Sequence, residues 1–245
     1  MRWRFRKLDW SYGLGELIIV IAGVLIALAV DQWNSDRMAR VEEGEIIEQL
    51  ISDLNTDVVE YELELSDLDE KEASLRRVRS VLASSSESVD DPAGLLRDVI
   101  QGANRGWNQT EARRTTFNEL LGSGKFLFIR DAEIRVKIAD YYDSDESAHK
   151  RIDERETQYP DVSYLLVPRK DEGLFETDVA NRPREPDLED SSAEKLVADV
   201  FASSLSNYIN GEINLTRFIR NLDIRLRDER LDLLRTLEAY RETIQ

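Results

Sequence analysis

Hydrophobic residues are distributed along this chain in two patterns. Residues 17–30 are uncharged and mostly apolar without a break, whereas after residue 34 apolar residues recur among charged ones at helical spacing. Residues 12–30 number 19. As a helix they would span about 28 Å, close to a hydrocarbon thickness of about 30 Å. The first pattern therefore predicts a transmembrane helix over residues 12–30.

The flanks of this segment predict its orientation. Residues 1–11 form a basic tail that carries four basic residues against one aspartate. Because basic flanks are retained in the cytoplasm, the tail is expected to be cytoplasmic and the rest of the chain extracytoplasmic. Aromatic side chains settle at membrane surfaces. The predicted interface anchors are Trp3, Trp10, Tyr12 and Trp33.

Two other interpretations fit parts of the same pattern. A basic start followed by Ala27-Leu28-Ala29 is the layout of a cleavable signal peptide. A buried core helix of a globular protein can also be this apolar. The basic tail and the aromatic residues at both ends favour a retained membrane anchor over the core helix.

One face of the predicted anchor carries small and polar residues. Gly23 and Ala27 form a small-xxx-small pair, which permits close approach of helices in lipid. Glu16 and Asn34 fall on the same stripe. An ionisable residue within a membrane is a functional candidate, and on this stripe it would face a partner helix rather than lipid. The stripe therefore predicts packing against a second copy or a larger partner. Alternatively, Glu16 reaches the headgroups and pairs with the basic tail.

The second pattern predicts a long helix. Residues 34–82 contain no proline and one glycine, and their apolar positions repeat every seven residues, with a second set offset by four. Such a heptad is typical of a coiled-coil-like helix, predicted here over residues 31–84. Its apolar seam can pack against a second copy in an oligomer or against another helix of the same chain in a hairpin. The seam consists of Ile47, Ile51, Leu54, Val58, Tyr61, Leu65 and Leu68.

Short helices are predicted over residues 85–167, which form a subdomain. Thr110 is expected to start a helix that ends at Gly122-Ser123-Gly124. Asp131 is expected to start another that continues to Tyr159. The apolar run between these two helices, residues 126–129, is expected to be covered by the rest of the protein.

The remaining residues complete an all-α fold. Residues 168–192 hold three of the five prolines and predict a charged loop. Residues 193–245 predict helices, the last of them over about residues 212–243, whose apolar stripe packs back along the long helix. The predicted fold is therefore a transmembrane helix that continues into a long coiled-coil-like helix within an elongated extracytoplasmic helical bundle.

Composition narrows the chemistry. The net charge of −17 repels nucleic-acid phosphates, so no nucleic-acid partner is expected. Cysteine is absent, and the single histidine, His149, is expected on an exposed, charged helix face. The chain has no P-loop, paired-glycine dinucleotide motif or HExxH motif. We therefore expect neither enzymatic activity nor a bound cofactor or metal.

One group of residues is a candidate binding patch. Basic and aromatic side chains near the glycine-rich turn are a combination that binds anions or protein partners. The alternative is that the basic side chains pair with neighbouring carboxylates. The candidate residues are Trp107, Arg113, Arg114 and Lys125.

Two stretches resemble a known family. GELIIVIAGVLIALAVDQWN, residues 15–34, and FNELLGSGKFLFIRDAEIRVKIADYY, residues 117–142, are similar to two recurring blocks of a bacterial membrane-protein family known only as a domain of unknown function. The resemblance implies a single-pass anchor and a mostly helical domain in the bacterial inner membrane and periplasm. It implies no activity.

Together these features favour a binding function. The expected protein is a membrane-anchored accessory or scaffold subunit that contacts lipid. Its expected protein partners are further copies of itself, a larger membrane protein, or both. One alternative is an ion-coupled or stator-like subunit in which Glu16 titrates. A second alternative is an extracytoplasmic sensor that signals through a partner.

Overall fold

The fold is all-α, as predicted. The computed structural model describes residues 10–84, 89–104, 111–168, 186 and 192–244, and these contain helices and no strand. A 3₁₀ turn, Lys125–Phe128, lies between the third and fourth helices. The helices are α1 (Trp10–Ala83), α2 (Pro92–Ala103), α3 (Thr115–Ser123), α4 (Ala132–Asp153), α5 (Tyr159–Leu166), α6 (Ala193–Ala202) and α7 (Leu205–Ile244).

Some predictions concern residues beyond this description. Trp3 and Trp107 lie outside the described residues, as does most of the predicted loop over residues 168–192. The backbone of Trp10, Tyr12 and Glu16 belongs to α1, but their side chains are likewise outside the description.

An antiparallel hairpin of α1 and α7 organises the molecule. α1 has 74 residues and α7 has 40. At about 1.5 Å per residue these helices are about 110 and 60 Å long. α7 lies along the heptad seam of α1, where Ile47 and Tyr61 have no exposed surface and Val58 is partly buried. The seam is thus filled within one chain.

Hydrophobic side chains form three clusters along this hairpin. The first joins Ile47 and Leu54 to Leu237 and to residues of α3 and α4, and the second surrounds Tyr61 and Leu226. The third packs the far end of α1 against α2, α5, α6 and the start of α7. The short helices therefore pack against the hairpin at different levels, α3 and α4 on its lower part and α2, α5 and α6 at the far end of α1.

Local signals define several helix ends. Asp131 caps α4 by accepting hydrogen bonds from the amides of Glu133 at 2.8 Å and Ile134 at 3.2 Å. Gly124 follows α3 with a φ of 74°, a left-handed conformation that favours glycine. Ser192 caps α6 through the Lys195 amide.

Three boundaries differ from the sequence prediction. α3 begins at Thr115, because the amides just before it are engaged by carboxylates of other helices. α4 ends at Asp153, and α5 begins at Tyr159 with a proline in its first turn, a position at which proline is tolerated. α7 begins at Leu205 rather than near residue 212.

Two apolar segments are left uncovered by the protein. Within the described residues, the apolar start of α1 is the one segment long and hydrophobic enough to cross a membrane. None of this apolar stretch is buried inside the protein. The Lys125–Phe128 turn was expected to be covered, but Leu127 is 72% exposed and Phe128 43% exposed. Only Ile129, the next residue, is fully buried.

Candidate functional site

Charged side chains are buried at a regular interval along α1. Glu43, Asp57 and Lys71 are 14 residues apart, which is two heptads, and each is at most 8% exposed. At about 1.5 Å per residue, successive positions lie about 21 Å apart on one face of the helix. A buried charge needs a partner, and each of the three binds a different part of the chain.

The lowest of these sites, nearest the apolar start of α1, joins three elements. Glu43 accepts hydrogen bonds from the Arg130 amide at 2.7 Å and from the Tyr240 hydroxyl at 2.5 Å. The guanidinium of Arg130 also lies 3.4 Å from Glu43. Burial and the neighbouring Glu43 carboxylate raise the pKa of Tyr240 to about 12, so its hydroxyl keeps its proton.

The middle site is built around Arg230 of α7, which has no exposed surface. Its Nη2 lies 3.4 Å from Oδ1 of Asp145, and its Nε lies 3.9 Å from Oδ2 of Asp57. Nε also donates to the Tyr141 hydroxyl. The guanidinium carbon lies 4.0 Å from the centre of the Tyr61 ring, a cation–π contact.

Backbone amides also donate hydrogen bonds to the two aspartates. The Ala112 amide donates to Asp145 at 3.1 Å, and the Arg113 amide donates to Asp57 at 3.1 Å. Tyr61 donates its hydroxyl to Asp145 at 3.2 Å. One buried cation therefore holds α1, α4, α7 and the segment that leads into α3 together.

His149 belongs to this site, contrary to the prediction of an exposed position. It is 5% exposed, and its Nδ1 lies 2.9 Å from the backbone oxygen of Asp145 and 3.6 Å from the carboxylate of that residue. The charged stretch around His149 hides a buried face of α4, on which Ala148 and Ile152 pack against α1 and α7.

Burial shifts the ionisation of the acidic groups here. Burial raises the pKa of Asp57 to about 6, although the Arg113 amide and Arg230 act in the opposite direction. Burial and the charges of Glu64 and Asp145 raise the pKa of Asp223 to about 8. The pKa of Arg230 is lowered by burial but raised more by Tyr141, Tyr61 and Asp57, so the guanidinium stays charged.

The highest site joins α1 to α7 and α2. Nζ of Lys71 lies 2.6 Å from Glu212 and donates to the backbone oxygen of Asn104 at 2.6 Å. Glu212 also accepts a hydrogen bond from Thr157, just before α5. This ion pair therefore adds to the hydrophobic packing that holds the short helices at this end against the hairpin.

The buried ion pairs are suited to holding the helices in fixed positions. Arg230 and its aspartates are enclosed, and the open groove of about 710 Å³ between α4 and α7 lies outside them, on the far side of Tyr141. In the part of the chain that the structure describes, no three His, Asp or Glu side chains are grouped to hold a metal ion.

Comparisons with protein-family models, curated proteins and solved structures find no match. The resemblance of residues 15–34 and 117–142 to a bacterial membrane-protein family stays a prediction.

The structure does not bring the basic candidates together as one patch. Arg113 pairs with Asp57 and Glu60, and Arg114 pairs with Glu146 at 2.8 Å. Lys125 pairs with Glu42 at 2.9 Å. Glu42 and Asp57 are 15 residues apart on α1, or about 22 Å. These cations therefore form separate pairs, Arg113 and Lys125 with α1 and Arg114 with α4.

The anchor stripe lies on continuous helix. Glu16, Gly23, Ala27 and Asn34 fall within about 40° of arc around α1, at about 100° per residue. A Cβ placed on Gly23 would have no atom within 4 Å. Ala27 and Asn34 are exposed, and Trp33 is 63% exposed. The protein leaves this face of the helix open.

The buried charges were missed by the sequence analysis, although a signal was present. Arg230 lies between Leu226 and Leu233 in the apolar stripe of α7, and Asp57 lies between Leu54 and Tyr61 in that of α1. Charged residues that interrupt apolar stripes on two helices, with opposite signs, indicate an interior ion pair.

Proposed function

We propose that this protein is a single-pass accessory or scaffold subunit of the bacterial inner membrane. In this proposal, α1 crosses the bilayer and the helical body lies in the periplasm. The observation that carries it is the uncovered apolar start of α1, in a protein whose other long helix is packed along its length. Leaving so many apolar side chains in water is unfavourable at about 25 cal/mol per Å².

The buried charge sites support a binding role over catalysis. They enclose their charged groups and tie the short helices to the α1–α7 hairpin, which makes the body a firm platform. We accordingly propose a protein that holds other components at the membrane and has no reaction of its own.

The orientation gives the first prediction. Protease added to intact spheroplasts is expected to degrade the chain beyond residue 34 and to leave a small membrane-bound fragment, because basic residues keep the tail inside. Immunoblots with tags at either end provide the measurement, and a cytoplasmic protein is the control. Protection of the body in intact spheroplasts, or a mature chain that begins near residue 30, contradicts the proposal.

Self-association is proposed to occur through the anchor. Since α7 already fills the heptad seam of α1, that seam is unavailable to a second copy. The stripe around Gly23 and Ala27 has an open surface and small residues, which allow two helices to approach closely.

The second prediction compares two Ala→Leu substitutions in the anchor. Ala27→Leu is expected to weaken self-association about tenfold, or by about 1.4 kcal/mol, because the larger side chain separates the helices. Ala29→Leu is the matched control, since Ala29 lies about 160° around the helix from Ala27. Energy transfer between labelled copies of the full chain in vesicles measures both.

The possible results lead to distinct conclusions. Loss of association in Ala27→Leu alone supports packing through the stripe. Equal association in both variants rules out a homo-oligomer formed on this face. If the chain is then also recovered from mild detergent as a monomer without bound proteins, the subunit role itself is contradicted.

A further inference from the structure

The Lys125–Phe128 turn presents apolar side chains beside the lower part of α1. Leu127 is 72% exposed, and Met38 on α1 is 66% exposed. Together with Phe128 they border a shallow groove of about 470 Å³, whose wall on α1 runs from Ser35 to Glu42. Exposed apolar side chains that are grouped on one surface indicate a contact with a partner or with a membrane.

The turn is held rigidly in this position. The Arg130 guanidinium donates to the backbone oxygen of Asp36 at 3.2 Å and lies 3.4 Å from Glu43. Lys125 pairs with Glu42, and Ile129 is fully buried. Attachments on both sides therefore fix Leu127 and Phe128 against α1.

The lower edge of the groove reaches the level of the membrane surface. Its wall on α1, from Ser35 to Glu42, begins five residues and ends twelve residues beyond Val30, which is about 8 to 18 Å along the helix. The headgroup layer on one side of a bilayer is about 5–8 Å thick. A tilt of about 20°, which is average for membrane helices, brings one flank of α1 closer to the lipid. Trp33, 63% exposed, lies three residues beyond Val30, about 5 Å along the helix and within the headgroup layer.

We propose that this turn is a second membrane contact, in which Leu127 and Phe128 insert into the headgroup layer of the bilayer that α1 crosses. This inference rests on the proposed membrane anchoring. The contact resembles that of amphipathic segments, which bury apolar side chains about 5–10 Å into the boundary between headgroups and acyl chains. It would fix the tilt and rotation of the whole body.

A lipid surface fits these residues better than a protein partner. The exposed parts of Leu127, Phe128 and Met38 amount to a few hundred Å², whereas a stable protein interface buries about 800 Å² on each partner. A lipid contact needs no such area, because α1 already holds the turn at the surface.

The absence of cysteine from the chain allows a direct test. Single variants Leu127→Cys, Leu25→Cys and Leu165→Cys of the full chain carry a nitroxide label in phospholipid vesicles. Collision rates with oxygen, which partitions into lipid, and with a water-soluble nickel chelate report the depth of each label. Leu25 marks the anchor, and Leu165, 86% exposed on α5, marks the aqueous far end.

We expect the label at position 127 to favour oxygen over nickel severalfold relative to position 165, and to approach position 25. If position 127 is as accessible to nickel as position 165 while position 25 lies in lipid, the second contact is refuted and the anchor stands. If position 25 is also accessible to nickel, the membrane anchoring itself is refuted. Shielding of position 127 from both reagents that increases with protein density identifies a second copy and overturns the lipid contact.

Discussion

Replacing Arg230 by methionine is expected to lower the free energy of unfolding by about 3–5 kcal/mol, the usual effect of removing one member of a buried ion pair. Methionine keeps much of the aliphatic volume but removes the charge. Asp57 and Asp145 then lose their shared interior cation, while the Tyr141 hydroxyl loses its donor. The full chain unfolded by urea in mild detergent, followed by circular dichroism, measures the change.

A matched variant distinguishes the loss of a buried charge from the general effect of replacing an arginine on α7. Arg235→Met changes the same residue type on α7, where the side chain is 73% exposed, and it is expected to have an effect below about 1 kcal/mol. Adding Asp145→Asn to Arg230→Met should restore part of the loss, because it removes an uncompensated carboxylate. Equal stability of the Arg230 and Arg235 variants would falsify the role given to this ion pair.

The pH dependence of stability is expected to depend on Asp223. Its folded-state pKa of about 8 lies above the ordinary value of 3.8, so the folded protein binds this proton more tightly than the unfolded chain does. Stability is therefore greatest below about pH 4 for this group, and it falls as the pH rises toward 8. The limiting slope is about 1.4 kcal/mol per pH unit.

Asp223→Asn isolates this contribution, because asparagine cannot ionise. We expect the variant to gain stability over the native chain by about 2–4 kcal/mol between pH 5 and pH 8. Asp228→Asn, an exposed aspartate on the same helix, serves as the control. Parallel pH profiles for the native chain and the Asp223 variant would show that this carboxyl ionises normally in the folded protein.

The long elements were predictable because their signals are local and repeated. The heptad from Ile47 to Leu68 continues over several turns, so one misplaced residue does not obscure it. The all-α class follows directly from such periodicity and is confirmed. The capping role of Asp131 was equally accessible, since the carboxylate binds amides within its own first turn.

The short elements and the interior charges were harder to predict, because distant residues determine them. The start of α3 depends on Asp57 and Asp145, which lie more than 30 positions away and bind the amides that precede the helix. His149 is buried because of the way α4 packs, which its charged neighbours in sequence do not reveal. The charge of neighbouring residues therefore does not identify an exposed position where a partner charge lies across the interior.

Arg230 illustrates how buried charges select one pairing of the long helices. A shift of α7 by one heptad along α1 would keep leucines opposite leucines, but it would move Arg230 about 10 Å away from Asp57. The same shift would separate Lys71 from Glu212 and Tyr240 from Glu43. Apolar packing alone permits several alignments, whereas these three contacts are satisfied together in one.

The unbroken course of α1 from Trp10 to Ala83 has a mechanical consequence. Because α1 has no hinge, a displacement of its lower end is transmitted to its upper end. A shift of the lower end by one residue along the axis moves the upper end by about 1.5 Å, and a rotation by one residue position turns the upper end by about 100°. Whatever grips the lower end of this helix thereby also sets the direction in which the short helices at its upper end point.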